Sequence, residues 1–182
     1  MLVKHVMLAM QLFFGAPQSG TNHDLILVSD NSSSVTNPPL KWVEPPNILI
    51  CHSSAVSERT VFRAVQYWNR LGYEFGSIRK AAADDFVCAR GIPDHNQILV
   101  DIPSQGFAFG KHIAITRTWY HTDTEVAIKA KIEIMGGWEN TARVLEHELG
   151  HALGWKDNAV TGHIMNGTWA HSGVNSRGLR KP

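Results

Sequence analysis

The sequence predicts a mixed α+β domain: a twisted mixed β-sheet backed by two helices, with a small irregular part at the C-terminal end. Three observations carry this. Short apolar, β-branched runs surround one helical pattern between Asn47 and Met135, in the order strand, helix, several strands. A second helical segment follows Gly136-Gly137 and stops before Gly154. The 182 residues, 43% hydrophobic and 18% charged, suit one globular domain with an N-terminal extension.

Residues 1–46 are that extension. Met1 to Gly15 carries an apolar run too short to cross a bilayer as a helix; it reads as a weak signal peptide or as a segment docked on the domain or on a partner. Asp24 to Ser29 reads as a short strand. Asp30 to Pro46, rich in Ser, Asn and Pro, reads as a linker or a pro-like strap. The domain proper is 47–182. Asn47 to Cys51 is a strand. Ser57 caps a helix running to about Leu71, with Val61, Val65 and Trp68 as its buried stripe and Phe62 beside it. Strands are expected near Tyr73–Ile78, Phe86–Ala89, Gln97–Ile102, His112–Trp119 and Val126–Met135. In the last, Val126, Ile128, Ala130, Ile132 and Ile134 alternate with Lys129, Lys131 and Glu133, which should line a wetter face. Asn140 or Thr141 should cap the second helix, which runs to about Leu153. Ser172 to Pro182 reads as a frayed basic tail.

The second helix holds the chemistry. His147 and His151 are four apart, so their imidazoles point the same way and can grip one metal ion from one side. Glu148 follows the first histidine, where its carboxylate can reach a water on that ion without being a ligand. Gly154 can end the helix in a left-handed turn that sends the chain back toward the metal. Asp157 then brings a hard anionic oxygen as third ligand; His163 and His171 are the alternatives for that place. Met165 follows eight residues after Asp157. On their own, two histidines at this spacing also fit a solvated helix face, and a lone methionine is ordinary core.

From His147 to Asp157 the chain resembles the extended zinc motif of the metzincin metallopeptidases, the HExxH group, and Met165 looks like their Met-turn methionine. The spacing from third ligand to methionine is similar to that of the matrixin branch, and Asp as third ligand is similar to the snapalysin-type enzymes. The close match covers about 25 residues, Val144 to Trp169. The resemblance implies one catalytic zinc ion, a hydrolase that cuts extended polypeptide with zinc-bound water activated by Glu148, and a methionine forming a floor under the metal. It also implies an edge strand running antiparallel to the substrate. The candidate is Lys111 to Trp119, with Ile113 and Ile115 as substrate contacts, and Trp169 as a pocket wall. Relatives place a tyrosine two residues after the methionine; here that position is Gly167.

A net charge of +1 gives no sign of nucleic acid as a partner, and no segment reads as a membrane span. Polypeptide substrate is the expected partner. Cys51 and Cys88 either pair or remain as two buried thiols, and a secreted or particle-associated protease is expected ahead of a cytoplasmic one. The competing function is a non-catalytic structural or binding module of a larger assembly that keeps the same fold. An amidase using the same zinc chemistry is the third.

Overall fold

The computed structural model describes residues 20–21, 40–103 and 112–181. Seven strands form one sheet: Gly20–Thr21 (β1), Lys41–Trp42 (β2), Asn47–Ile50 (β3), Ile78–Lys80 (β4), Gln97–Asp101 (β5), Ala114–His121 (β6) and Val126–Ile134 (β7). Their order is β1-β6-β7-β5-β3-β4, and β2 pairs with the start of β7. Strands β4, β3, β5 and β7 are mutually parallel, whereas β6 runs antiparallel to β7 and β1 antiparallel to β6. A register shift between Trp119 and Tyr120 marks an irregularity in β6. The mixed α/β class with two long helices is therefore as the sequence indicates.

Both sheet faces are covered, which is why β3 reads as an unbroken apolar run rather than an alternating one. Ile48, Ile50, Ile98, Val100, Ala130, Ile132 and Ile134 join the main core with the helices. Leu49, Cys51 and Leu99 join a smaller cluster with Ala81 and Val87. The helix Glu58–Asn69 (α1) starts at Ser57, whose hydroxyl accepts from Thr60 N at 3.2 Å. Trp68 on α1 is fully buried; its Nε1 donates to Glu146 O at 2.7 Å. Tyr67 and Tyr73 pack edge-on against Trp68, with ring centroids at 5.6 and 5.5 Å. This bond ties α1 to the helix that bears the histidines.

Several expectations are corrected. Phe86 to Ala89 is not a strand: Phe86–Arg90 (α2) is helical, because the Asp85 carboxylate accepts from Val87 N and Cys88 N and Gly91 closes the turn at φ 66°. Cys88 on this helix reaches Cys51 after β3, and the two form a disulfide. Tyr73 to Ser77 is not strand either; pairing starts only at Ile78. Phe62 is half exposed, outside the buried stripe. Lys131 and Glu133 do not line a wet face. They are 8% and 1% exposed, because Asp101 and Arg117 from β5 and β6 neutralise them in place. Lys41–Trp42, expected within the strap, joins the sheet, and Trp42 Nε1 donates to Ala152 O at 3.1 Å. The C-terminal segment is packed rather than frayed: Leu179 is fully buried and Lys181 N donates to Leu71 O. The expected strand Asp24–Ser29 and the apolar run Met1–Gly15 lie outside the described residues.

Candidate functional site

Val144–Ala152 (α3) crosses beneath β6 and β7 with Leu145, Leu149 and Ala152 in the core. Neither Asn140 nor Thr141 caps it. The cap position is Arg143, at φ 75° and without a side-chain cap bond, while the Asn140 side chain accepts from Ser57 N and Thr60 Oγ1 at the start of α1. Gly150 has no room for a side chain. A Cβ there would lie 2.4 Å from Met165 Sδ and 2.7 Å from Trp68 Cζ2. Glycine thus lets Met165, itself fully buried, press against α3 directly below the histidine turn.

The helix ends in a Schellman turn. Trp155 N donates to Gly150 O and Gly154 N to His151 O, both at 2.9 Å, with Gly154 at φ 96°. That reversal delivers Trp155 O to His151 Nδ1 at 2.7 Å and carries Asp157 back to the helix face. From the following loop, Ile164 O meets His147 Nδ1 at 2.8 Å. Each imidazole therefore spends its Nδ1 proton on a carbonyl, and the neutral rings turn their Nε2 lone pairs inward.

Those lone pairs converge. His147 Nε2 and His151 Nε2 are 2.8 Å apart, and Asp157 Oδ1 is 3.1 Å from the first and 3.5 Å from the second. Asp157 Oδ1 is buried without an aligned hydrogen bond. Bonds of about 2.0–2.1 Å to one tetrahedral ion would place such atoms roughly 3.3 Å apart. The group His147, His151 and Asp157 could hold a metal ion. Without one, a proton is the substitute. Burial opposes charging His147, but Asp157 and Glu148 beside it raise its pKa to about 9. Burial likewise opposes the Asp157 charge, yet the two imidazoles hold its carboxyl well below the usual range.

The alternative ligands are elsewhere. His163 is buried with Nδ1 accepting from Met165 N at 3.1 Å and Nε2 at 3.1 Å from Arg177 O. His171 lies in an exposed single turn of 3-10 helix, Trp169–His171.

Glu148 is 5% exposed, and Thr116 Oγ1 on β6 donates to its Oε2 at 2.6 Å. A cavity of about 290 Å³ opens over His147, Glu148, His151 and Asp157. Ile113 and Trp169 line it, as do Gly167 and Thr168; Ile115, one position past Ala114, is buried in the sheet and is not among the lining. Lys111 lies outside the described residues, so the described edge begins with His112 and Ile113. Thr116 and Arg143 were not singled out from sequence. Arg143 carried no helical signal, because it caps α3 in the left-handed region and does not lie on the helix face. Thr116 carried only the strand alternation.

Comparison of the chain with known protein families, with curated proteins and with solved structures finds no match.

Proposed function

We propose that the chain is a zinc-dependent endopeptidase of the metzincin kind, acting on extended polypeptide. The observation that carries this reading is the convergence of three ligand atoms beside a buried, tethered carboxylate that is not one of them. His147, His151 and Asp157 would hold the ion. Bound there, zinc would supply Lewis acidity toward a carbonyl and toward water. Glu148 is the general base: Thr116 fixes one of its oxygens, which aims the other at the cavity, where it accepts a proton and later returns it to the leaving amine. An extended peptide would add along the cavity wall at His112 and Ile113, the described residues that lead into β6. The Cys51–Cys88 disulfide fits an oxidising compartment, outside the cell or in a particle.

The structural-module reading is weaker on one count. A closed structural zinc site takes four protein ligands, and His163, the nearest further histidine in the sequence, has both ring nitrogens engaged elsewhere. The test pairs metal analysis with digestion of casein by wild type and Glu148→Ala. We expect about one zinc per chain in both proteins and a loss of turnover on the order of 10²–10⁴ in the variant. Zinc in both with cleavage in neither would move the assignment to the structural module.

A further inference from the structure

Arg143, the cap residue of α3, lines the same cavity as His147, His151 and Asp157. It is held in place rather than left swinging. One guanidinium N–H donates to Ser172 O, and the group lies over the Trp169 ring at 4.8 Å. Trp169 is fixed in turn: it packs edge-on against Trp138 at 5.2 Å and donates from Nε1 to Ala142 O at 3.4 Å. A guanidinium clamped by a ring and a carbonyl has lost most of its freedom before any ligand arrives.

Among the described residues no carboxylate matches its charge. Among the described residues, Arg117 and Arg143 are the two arginines that are partly buried. Arg117 pairs with Glu133, but no carboxylate pairs with Arg143. The acids that could reach the cleft are committed: Glu148 to Thr116, Asp157 to the two imidazoles, and Glu146 to Arg63 at 2.7 Å on the other side of α3. With a dication in place, Asp157 and Glu148 offset its charge, and Arg143 remains as the surplus positive group in a concave, half-dry site. A fixed guanidinium presents parallel N–H donors that a carboxylate matches with both oxygens and a carboxamide does not.

We infer that Arg143 makes this cleft selective for peptides that place a carboxylate beside the metal, supplied either by an Asp or Glu side chain or by a free C-terminus. The inference rests on the peptidase reading, yet its test separates the two. Zinc-loaded Glu148→Gln protein is titrated with peptide pairs that differ in Glu against Gln at each position, and with free against amidated C-termini. The same pairs are digested by wild type. Arg143→Asn is the neutral variant, because asparagine tolerates φ 75°; Arg143→Lys keeps the charge and loses the fork.

Binding should favour the carboxylate member by on the order of tenfold or more. The Asn variant should abolish that preference and the Lys variant should reduce it severalfold. Which pair responds, side chain or terminus, identifies the source. Equal affinity within every pair, a preference unchanged in both variants, or no binding to any peptide overturns the inference. Cleavage by wild type without acidic preference leaves the peptidase reading standing and this one refuted; carboxylate-selective binding without cleavage does the reverse. If Arg143→Asn does not fold, the Lys variant alone decides. A fall in kcat with an unchanged preference would place Arg143 in turnover instead and also refute its role in selection.

Discussion

Two buried polar clusters occupy opposite faces of one sheet, and they close their charge differently. On the face away from α3, Glu133 meets Arg117 and, at 3.0 Å, Lys131; Lys131 also stands 3.8 Å from Asp101, which accepts from Ser53. Two anions and two cations balance within the chain. On the α3 face, His147, His151 and Asp157 bring one carboxylate and two imidazoles within reach of a single ion, a group that could hold a metal. The first cluster draws its counter-charges from the fold, although Glu133 Oε1, like Asp157 Oδ1, has no aligned hydrogen bond. The second could take a cation from solution between its three ligand atoms. That contrast separates a group serving the fold from a group serving a ligand better than burial does, since both are largely dry.

Removing a partner from each cluster should sharpen the contrast most. Glu133→Ala removes a carboxylate that is 1% exposed and shared by Arg117 and Lys131, and should cost about 3 kcal/mol, because breaking a buried pair from one side costs more than the pair contributes. The loss should be equal in zinc and in chelator. Wild type should instead gain about 2.7 kcal/mol when free zinc is a hundredfold above its Kd, and Asp157→Asn should lose most of that gain. Equilibrium urea unfolding of the three proteins, with zinc and with chelator, reads both effects. A zinc-dependent cost at Glu133, or a zinc gain that survives in Asp157→Asn, would break the comparison.

The same contrast explains what the sequence revealed and what it concealed. The convergence of His147, His151 and Asp157 was legible because its geometry is local. Helical period sets His147 against His151, and the glycine turn at Gly154 returns the chain within three residues. The ion-pair cluster was not legible, because Asp101, Arg117, Lys131 and Glu133 come from three strands and meet only through sheet register. Alternation in β7 put Ala130, Ile132 and Ile134 on the core face, though at its start Ala127 is buried and Val126 and Ile128 are not; polarity alone does not tell a wet face from a neutralised one. The five-residue helix α2 was too short to display a period; only the Asp85 cap announced it. Arg143 was not readable from helical spacing, because it sits at the cap of α3 with φ 75°. Thr116 needed the structure, since its partner lies 32 residues away.

A pH titration of the metal-free protein should give an intermediate effect. His147 is raised to about 9 in the fold, above its ordinary 6.5. A group raised in this way adds stability that is fully present below pH 6.5 and lost as pH climbs through 9. Asp157 is shifted down, so its share is present above about pH 4 and lost in acid. Metal-free protein should therefore weaken between about pH 6.5 and 9, whereas zinc-loaded protein should stay level, the ion having replaced the proton. Thermal unfolding across that window checks it. An equal decline in both forms would mean that the proton and the metal do not compete for the same lone pairs.

The smallest effect tests an assignment that proximity in sequence misdirected. Asn140 precedes α3, but it serves the other helix: its Oδ1 accepts from Ser57 N at 3.0 Å and Thr60 Oγ1 at 2.7 Å, and its Nδ2 donates to Ala55 O at 2.9 Å. Asn140→Ala should cost about 1–2 kcal/mol, the usual loss for a helix-start bond network partly open to water. Because the bonds fix the entry to α1, zinc affinity and the His147 titration should not move. A loss of zinc affinity in this variant would mean that the α1 entry and the ligand group are coupled through the Trp68–Glu146 bond, and the two helices would then have to be treated as one mechanical unit rather than as a scaffold and a site.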